Sequence, residues 1–232
     1  MMKALIGAGI IFLLALLIMP WWQKTLPPAW NPFTPLTVTD APGWMTRYKL
    51  KRLQHDHAAC MAALQRAKEG GYIRFSLARP VEGNCPLAAP VRVQGFSDVR
   101  LSSSFLASCS LALSTTMFVT AAKSLAAVQL GSPLVRIDHV GSYACRNIYH
   151  RATGRLSEHA TAEALDVAGF RLQDGREIAI QKVWGQPRPE AYWLRQIFQQ
   201  SCFWYGNALG PDYNRAHAAH FHLGMRGFGV CR

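Results

Sequence analysis

The strongest constraint on the fold is an uninterrupted apolar run near the amino terminus. Residues 4–22 contain no charged side chain and are rich in Leu, Ile and Ala. This is close to the roughly 20 residues that a helix needs to cross the hydrocarbon core of a bilayer. A lysine precedes the run. Its end carries Trp21, Trp22 and Lys24, a combination that is typical of the interface between a membrane and water. The sequence therefore predicts a transmembrane helix, with residues 1–24 as the membrane anchor.

A cleaved signal peptide is the alternative for this segment. The apolar region of a signal peptide is usually shorter and ends in small residues before a cleavage site of the Ala-x-Ala type. No such site follows Met19, which favours a retained anchor. The flanking charges of Lys3 and Lys24 nearly balance, so they do not fix the orientation of the anchor.

The cysteines indicate the side of the membrane on which the domain lies. They are dispersed singly, without the Cys-x-x-Cys pair of a structural zinc or a thioredoxin-like redox site, at Cys60, Cys85, Cys109, Cys145, Cys202 and Cys231. Six such cysteines behind an export-type segment predict three disulfides formed in an oxidising compartment. Six buried thiols in a cytosolic domain are the alternative, and fifteen disulfide pairings remain open. We expect a single-pass inner-membrane protein whose domain faces the periplasm.

The charge of the chain limits its partners. The net charge is +12, from 25 Lys and Arg against 13 Asp and Glu. A basic surface attracts nucleic acid, anionic headgroups or an anionic wall polymer. The predicted compartment and the lack of a lysine run or aromatic-interleaved basic stripe argue against nucleic acid. The expected partners are the membrane, through the amino-terminal helix, and peptidoglycan or another anionic envelope polymer; solubility is the alternative role of the charge.

Composition divides the rest of the chain into a linker and a domain. Five prolines between residues 26 and 42 predict a stiff, extended tether, so residues 25–42 are interpreted as a Pro-rich linker and residues 43–232 as one domain. Hydrophobic periodicity predicts helices over residues 44–67, 109–130 and 189–200.

Strands are expected after the first of these helices. The expected strands cover residues 72–76, 134–140, 164–172, 177–183 and 220–225, and residues 77–108 are punctuated by Pro, Gly and Ser. The turn signature Asp174-Gly175 joins two of the strands as a hairpin. Because helices and strands do not alternate regularly, the predicted fold class is α+β, with a mainly antiparallel sheet packed against helices.

Histidines and one aspartate are concentrated in two distant stretches. His159 and Asp166 lie near the middle of the chain, and His217, His220 and His222 lie near its end. Side chains alternate along a strand, so His220 and His222 are expected on one face. Two imidazoles and a carboxylate suit a zinc ion, and such a set leaves the fourth tetrahedral position for water, as in catalytic zinc sites. The alternative is that the histidines are packed against other residues and that the aspartate caps a turn, without any metal.

Five motifs carry a resemblance to a known family. They are Gly141-Ser-Tyr-Ala-Cys-Arg146, Arg155-Leu-Ser-Glu-His-Ala160, Ala164-Leu-Asp-Val-Ala-Gly-Phe-Arg171, Leu209-Gly-Pro-Asp-Tyr-Asn214 and His217-x-x-His-Phe-His-Leu223. They resemble the bacterial extensin-like C-terminal domain family over about residues 45–232. That family is in turn similar to the zinc peptidases of the lysostaphin, D-Ala-D-Ala carboxypeptidase and Sonic hedgehog fold group, which share Ser-x-His-(x6)-Asp followed by His-x-His.

The resemblance implies roles for the site residues. It implies that zinc is held by His159, Asp166 and His222. His220 matches the position that serves as the base, or orients the water, in the members that carry His-x-His. The carboxypeptidase branch has a glutamate base three residues before its last ligand, where this chain has Ala219.

Further residues are expected to support the site. Arg146 matches an arginine on the substrate side, and a structural ion pair is its alternative role. His217 and Asp212 are expected to contact the ligands rather than the ion, although Pro-Asp-Tyr-Asn is equally a plain turn. Ser157 is expected to order the His159 loop by a local hydrogen bond rather than to act as a nucleophile.

This sequence departs from the family pattern beside its expected ligands. The usual glycine and asparagine before the ligand aspartate are Ala162 and Glu163, and acidic residues usual around His-x-His are replaced by Ala219 and Gly224. The resemblance implies a zinc metallopeptidase of the D,D-carboxypeptidase or endopeptidase type that acts on peptidoglycan peptides. A non-catalytic wall-binding or scaffolding module with a structural or vestigial metal site is the alternative, and a metal-free protein with packed histidines is the third.

Overall fold

The computed structural model describes residues 2–28, 30–227 and 229–232, without the side chains of residues 2–5, 8, 11 and 22. Helices and strands are mixed along the chain, which confirms the α+β class. In chain order the elements are α1 (Met2–Thr25), α2 (Trp44–Gln54), α3 (His57–Glu69), β1 (Arg74–Leu77), β2 (Val91–Gly95), β3 (Arg100–Leu101), β4 (Phe105–Ala107), α4 (Cys109–Leu130), β5 (Leu134–Gly141), β6 (Ala164–Leu172), β7 (Glu177–Ala179), α5 (Ile180–Val183), α6 (Pro189–Ser201), β8 (Asn207–Leu209), β9 (Phe221–Gly224) and β10 (Val230–Cys231).

The strands form two sheets. The smaller sheet has the order β1-β2-β4 and is antiparallel. The larger sheet has the order β10-β8-β9-β6-β5-β3, and β7 pairs with β6 beside this path. Its pairs are antiparallel except for β3 with β5 and β8 with β10. The central strands β6 and β9 are therefore flanked by other strands, and they carry Asp166 and His222 of the candidate site.

The long helix α4 forms the centre of the core. It begins at the predicted residue, because Ser108 Oγ accepts a hydrogen bond from Leu111 N (3.2 Å), and it ends before Gly131, which has a φ of 68°. Among the helices formed by the described residues, α4 is long and apolar enough to cross a membrane. However, 61% of its apolar window is buried among the other elements, as expected of a core helix.

The helix α1 covers the apolar run, and many of its described apolar side chains are exposed. The expected interfacial role of Trp22 lies outside the described side chains. The transmembrane role of α1 stays a prediction.

The predicted helix over residues 44–67 is two helices. α2 ends at Gln54 and α3 begins at His57, because Asp56 Oδ1 accepts a hydrogen bond from Ala59 N (2.9 Å). An aspartate at this position stabilises a helix start and competes with a continuous helix. The break between the two helices could be predicted from Asp56. Hydrophobic periodicity alone misses it, because periodicity takes no account of helix-capping residues.

The Pro-rich segment packs against the domain instead of extending away from it. Leu36 is only 5% exposed and belongs to the main core, together with Val38. The buried Lys49 Nζ donates hydrogen bonds to Pro28 O (2.9 Å) and to Thr34 Oγ1 (3.0 Å). Apolar residues between the prolines explain the difference, because burying them stabilises a docked segment more than an extended one.

Two other expectations need correction. Residues 77–108 contain the three short strands β2, β3 and β4, which the Pro, Gly and Ser punctuation obscured. The second strand of the predicted hairpin ends at Ala179, and Ile180–Val183 forms the helix α5. Ile180 and Val183 are both buried by this helical turn, which explains the change from strand to helix.

All six cysteines form disulfides, which confirms the prediction of three bonds. Cys60 pairs with Cys109 and ties α3 to the start of α4. Cys85 pairs with Cys145 beside Arg146, and Cys202 pairs with Cys231, which ties the end of α6 to β10. The pairing follows from the tertiary fold and not from the spacing of the cysteines.

Candidate metal centre

The β6–β9 ladder brings Asp166 and His222 together. These two residues are direct cross-strand partners, and His222 Nδ1 lies 2.9 Å from Asp166 Oδ1. Their neighbours Leu165, Val167 and Phe221 are fully buried on the other face. A slip of one residue would turn this apolar face to the solvent, so the core fixes the register that pairs the two polar residues.

A single 3-10 turn over Glu158–Thr161 holds His159. Ser157 precedes the turn, and its Oγ accepts a hydrogen bond from His159 N (3.3 Å). Ala162 ends the turn in the left-handed conformation, with a φ of 52°. A glycine at this position would adopt the same conformation without strain.

The side chain of His159 is buried between a carbonyl and a carboxylate. Its Nδ1 lies 3.2 Å from Ser142 O, and its Nε2 lies 3.2 Å from Asp166 Oδ2. A carbonyl only accepts hydrogen bonds, so Nδ1 carries a proton. A neutral His159 would then aim the lone pair of Nε2 at an anionic oxygen. A cation between the two atoms would be bound by both of them.

Three residues meet the geometric requirements of a metal centre. One ligand atom from each of His159, Asp166 and His222 lies within 4.8 Å of the others. His222 Nδ1 lies 2.9 Å from Asp166 Oδ1 and His159 Nε2 lies 3.2 Å from Asp166 Oδ2, so the two imidazoles share one carboxylate. Two imidazole nitrogens and a carboxylate oxygen are ligands that zinc accepts. The bond from His159 Nδ1 to a backbone carbonyl is also the usual way in which a metal-binding histidine is oriented. The donor set therefore fits zinc.

The charge of Asp166 is maintained in this site. Burial alone would raise the pKa of Asp166, but its interactions with His159 and His222 outweigh burial and hold that pKa well below its usual range. The carboxylate is therefore ionised at neutral pH, as a metal ligand must be.

Two further histidines lie beside the three candidate ligands. His220 Nε2 lies 3.6 Å from Asp166 Oδ1, so His220 and His222 share a face, although the strand β9 begins only at Phe221. His217 Nδ1 lies 2.8 Å from Asn214 Oδ1, and its ring packs edge-on against His222. Burial lowers the pKa of His217 to about 4 and also lowers that of His220, which Asp166 partly opposes. In both rings burial disfavours the protonated form.

The cluster forms the floor of a cleft of about 430 Å³. Arg146 lines one wall, and its backbone carbonyl accepts a hydrogen bond from Ser157 N (3.0 Å). Within the described ranges Arg146 makes no ion pair, so its alternative structural role finds no support there. Asp212 is exposed, and it is absent from the described residues that line the cleft.

The sequence did not indicate Tyr149 as part of the cleft. Tyr149 and His150 are consecutive non-glycine residues with φ values of 56°, and both line the cleft. The Tyr149 hydroxyl accepts a hydrogen bond from Asn214 Nδ2 (3.3 Å), which links the two loops that border the cleft. Backbone strain of this kind is concentrated at functional sites, but nothing in the local sequence predicts it.

A carboxylate from another position occupies the space beside Gly224. A Cβ atom at Gly224 would collide with the carboxylate of Glu158. That carboxylate accepts hydrogen bonds from Asn207 Nδ2 (3.0 Å) and from Arg226 N (3.1 Å). The acidic group beside position 224 thus comes from the turn that carries His159.

The fold and the site define a disulfide-bonded α+β domain with a His/Asp cluster at the floor of a cleft. The chain belongs to the family described as the extensin-like protein C-terminus, whose profile matches residues 58–232. No curated protein and no solved structure matches this chain. The matched region begins within α3 and contains every residue of the candidate metal centre.

Proposed function

We propose that this protein is a membrane-anchored, zinc-dependent peptidase-like protein of the periplasm that acts on peptidoglycan peptides. The observation that carries the proposal is the position of His159 between Ser142 O and Asp166. This arrangement is unfavourable for a neutral imidazole and favourable for a metal ligand. The similarity of the family to zinc peptidases supplies the reaction class, and the cell-wall substrate rests on the same analogy.

His159, Asp166 and His222 would hold the zinc. When bound, zinc lowers the pKa of a water ligand to about 7 and polarises a substrate carbonyl. His220 would accept a proton, because its Nε2 lies 3.6 Å from Asp166 Oδ1 and the residue does not belong to the ligand set. His217 lines the same cleft, where the side chain of Asn214 orients its ring.

Arg146 supplies positive charge at the wall of the cleft. A guanidinium there stabilises the oxyanion that develops on an amide carbonyl, or a substrate carboxylate. The Cys85–Cys145 disulfide and the Ser157 N–Arg146 O hydrogen bond fix the backbone on either side. Arg146 is thereby held against the turn that carries His159.

The proposed location depends on the apolar helix and the disulfides. α1 has the length of a membrane span, and its described apolar side chains are mostly exposed. Three disulfides are typical of proteins that fold outside the cytoplasm. The net charge of +12 suits an anionic polymer as partner. We infer an inner-membrane protein with one span and a periplasmic domain.

A non-catalytic, wall-binding role is the second candidate. It is favoured by Ala219, because the glutamate base of the carboxypeptidase branch is missing at this position. Asn207 Nδ2 and Arg226 N donate hydrogen bonds to the two carboxylate oxygens of Glu158 and hold that group beside Gly224. In this case the metal centre would hold the fold without turnover.

Metal content and wall digestion distinguish these functions. The full chain in detergent, purified with zinc, should contain one zinc per chain and release soluble peptides from isolated cell-wall sacculi. His159→Ala should lose both properties, and His220→Ala should keep the zinc but lose the release. His57→Ala, at an exposed histidine outside the cleft, is the matched control and should change neither.

The outcomes that contradict the proposal differ in kind. Equal zinc content in the wild type and His159→Ala would exclude the metal centre. Zinc in the wild type without any release from sacculi would exclude the peptidase and leave the wall-binding role.

A further inference from the structure

The exposed face of α2 combines aromatic rings with positive charge. Trp44 and Tyr48 are exposed on this helix, as are Arg47, Lys51 and Arg52. The helix contains no acidic residue, and the guanidinium of Arg52 lies over the ring of Tyr48 (5.9 Å). Aromatic rings beside lysine and arginine are typical of helices that lie in the headgroup region of a membrane.

The segment that precedes α2 enlarges this face. Trp30 is 58% exposed, Phe33 is equally exposed, and the Trp30 ring packs edge-on against Trp44 with centroids 6.0 Å apart. These four aromatic residues and the three cations of α2 are called the α2 face below. The α2 face thus contains large apolar side chains that the protein itself does not cover.

The α2 face is fixed with respect to the rest of the domain. The buried Lys49, on the other side of α2, binds Pro28 O and Thr34 Oγ1, which flank Trp30 and Phe33. Met45 and Leu50 on the same side of α2 are buried. The rings and cations therefore act together as one surface and not as independent side chains.

The α2 face is also continuous with the end of α1. Asn31 Nδ2 donates a hydrogen bond to Gln23 O in the last turn of α1 (2.7 Å), and Lys24 and Trp21 are exposed in that turn. The side chain of Asp40 is 7% exposed and lies 3.9 Å from Lys49. Asp56 is exposed and caps α3 beyond the end of α2, so three cations on α2 stand against one exposed carboxylate nearby in sequence.

We propose that the α2 face binds the anionic lipid surface of the membrane that α1 crosses, and that it fixes the orientation of the domain on that surface. This inference rests on the proposed anchor, but it concerns a separate contact. Charge complementarity favours anionic headgroups, and the four rings favour a lipid interface over a soluble wall polymer, which offers no apolar layer for them.

Hydrogen exchange of the full chain in nanodiscs tests this contact. We expect amide exchange over residues 44–54 to be slower in discs that contain phosphatidylglycerol than in discs of phosphatidylcholine alone. Each lysine or arginine near an anionic surface contributes roughly a five-fold gain in binding. Lys51→Gln with Arg52→Gln should therefore remove most of the lipid-dependent protection, and Trp44→Ser should reduce it in both lipids.

A matched control separates this contact from net charge. Lys182→Gln with Arg92→Gln removes the same number of positive charges at exposed positions on α5 and β2 and should preserve the protection.

Equal exchange in both lipids, with the chain retained in the discs, would overturn the α2 contact and leave the anchor intact. A chain that stays with neither kind of disc would overturn the anchor and the contact together. If a soluble anionic polymer slows exchange over the same residues, and Trp44→Ser does not alter this effect, then the α2 face binds the polymer and the lipid contact is overturned.

Discussion

The two parts of the candidate metal centre are held by different kinds of structure. Asp166 and His222 lie on paired central strands, whose register is fixed by a buried face and by flanking strands. His159 lies on one short turn that depends on a serine cap, a left-handed alanine and two backbone contacts. The strand pair is thus determined by many residues together, whereas the turn is determined by a few contacts that can be removed singly.

Truncating the core beneath the strand pair should have the largest effect. Phe221 is fully buried between His220 and His222 and packs against Trp184 and Phe198. Phe221→Ala should lower the free energy of unfolding by about 3–5 kcal/mol, because it leaves a cavity under β9. Urea unfolding measures this change. Tyr192→Ala, at an exposed aromatic residue, should cost less than about 1 kcal/mol, and a similar loss in both variants would contradict this account of the strand.

Removing the disulfide beside the cleft should have the next largest effect. Cys85→Ala with Cys145→Ala should destabilise the protein by about 3–4 kcal/mol, because the unfolded chain gains freedom. The sequence separation is 60 for this bond and 29 for Cys202–Cys231. Replacing Cys202 and Cys231 by alanine should therefore lower the free energy of unfolding by roughly 0.6 kcal/mol less than replacing Cys85 and Cys145. Thermal unfolding of both double variants checks the order, and a larger loss for the shorter loop would contradict it.

The serine cap of the His159 turn should have a smaller effect on stability. Ser157→Ala should cost about 1 kcal/mol and weaken zinc binding by about 10–100-fold, because the turn no longer orients His159. Competition with a chelator measures the zinc affinity. Ser157→Asp keeps an oxygen acceptor for the His159 amide and should restore most of the stability. If Ser157→Ala binds zinc like the wild type, the turn is held by its other contacts alone.

The smallest effect is expected at the left-handed alanine. The free energy of unfolding of Ala162→Gly should stay within about 1 kcal/mol of the wild type. Glycine relieves the strain of the positive φ, and this gain offsets the greater freedom of glycine in the unfolded chain. Ala160→Gly in the same turn has no positive φ to relieve and should lose about 1 kcal/mol or more. Chemical unfolding of the two variants provides the comparison, and equal losses would show that the conformation of Ala162 carries no strain.

The strand pair was predictable from the sequence because its signal is local and repeated. Apolar residues alternate through Leu165 and Val167 and again through Phe221 and Leu223, which indicates the strands and the face that carries the polar residues. The helix over residues 109–130 has a similarly clear signal and matches the observed bounds. The assignment of His159, Asp166 and His222 to one centre came from the family resemblance, because spacing along the chain does not show which loops meet.

Features that depend on contacts between distant residues were not predictable. The cysteine pairing, the docking of residues 26–42 and the position of Glu158 beside Gly224 all follow from the packing of elements far apart in the sequence. Prolines predicted an extended tether, but the buried Leu36 and the hydrogen bonds of Lys49 outweighed that tendency. Tyr149 in the cleft has a conformation that no propensity of tyrosine indicates.

The larger sheet ends on both sides in strands of only two residues, β3 and β10. An exposed edge offers unpaired backbone groups to other chains, and a very short edge offers too few of them to template a further strand. On one side the Cys202–Cys231 bond also prevents the edge from peeling away. We therefore expect copies of this domain not to pair through the edges of this sheet, even when they are crowded at high local concentration.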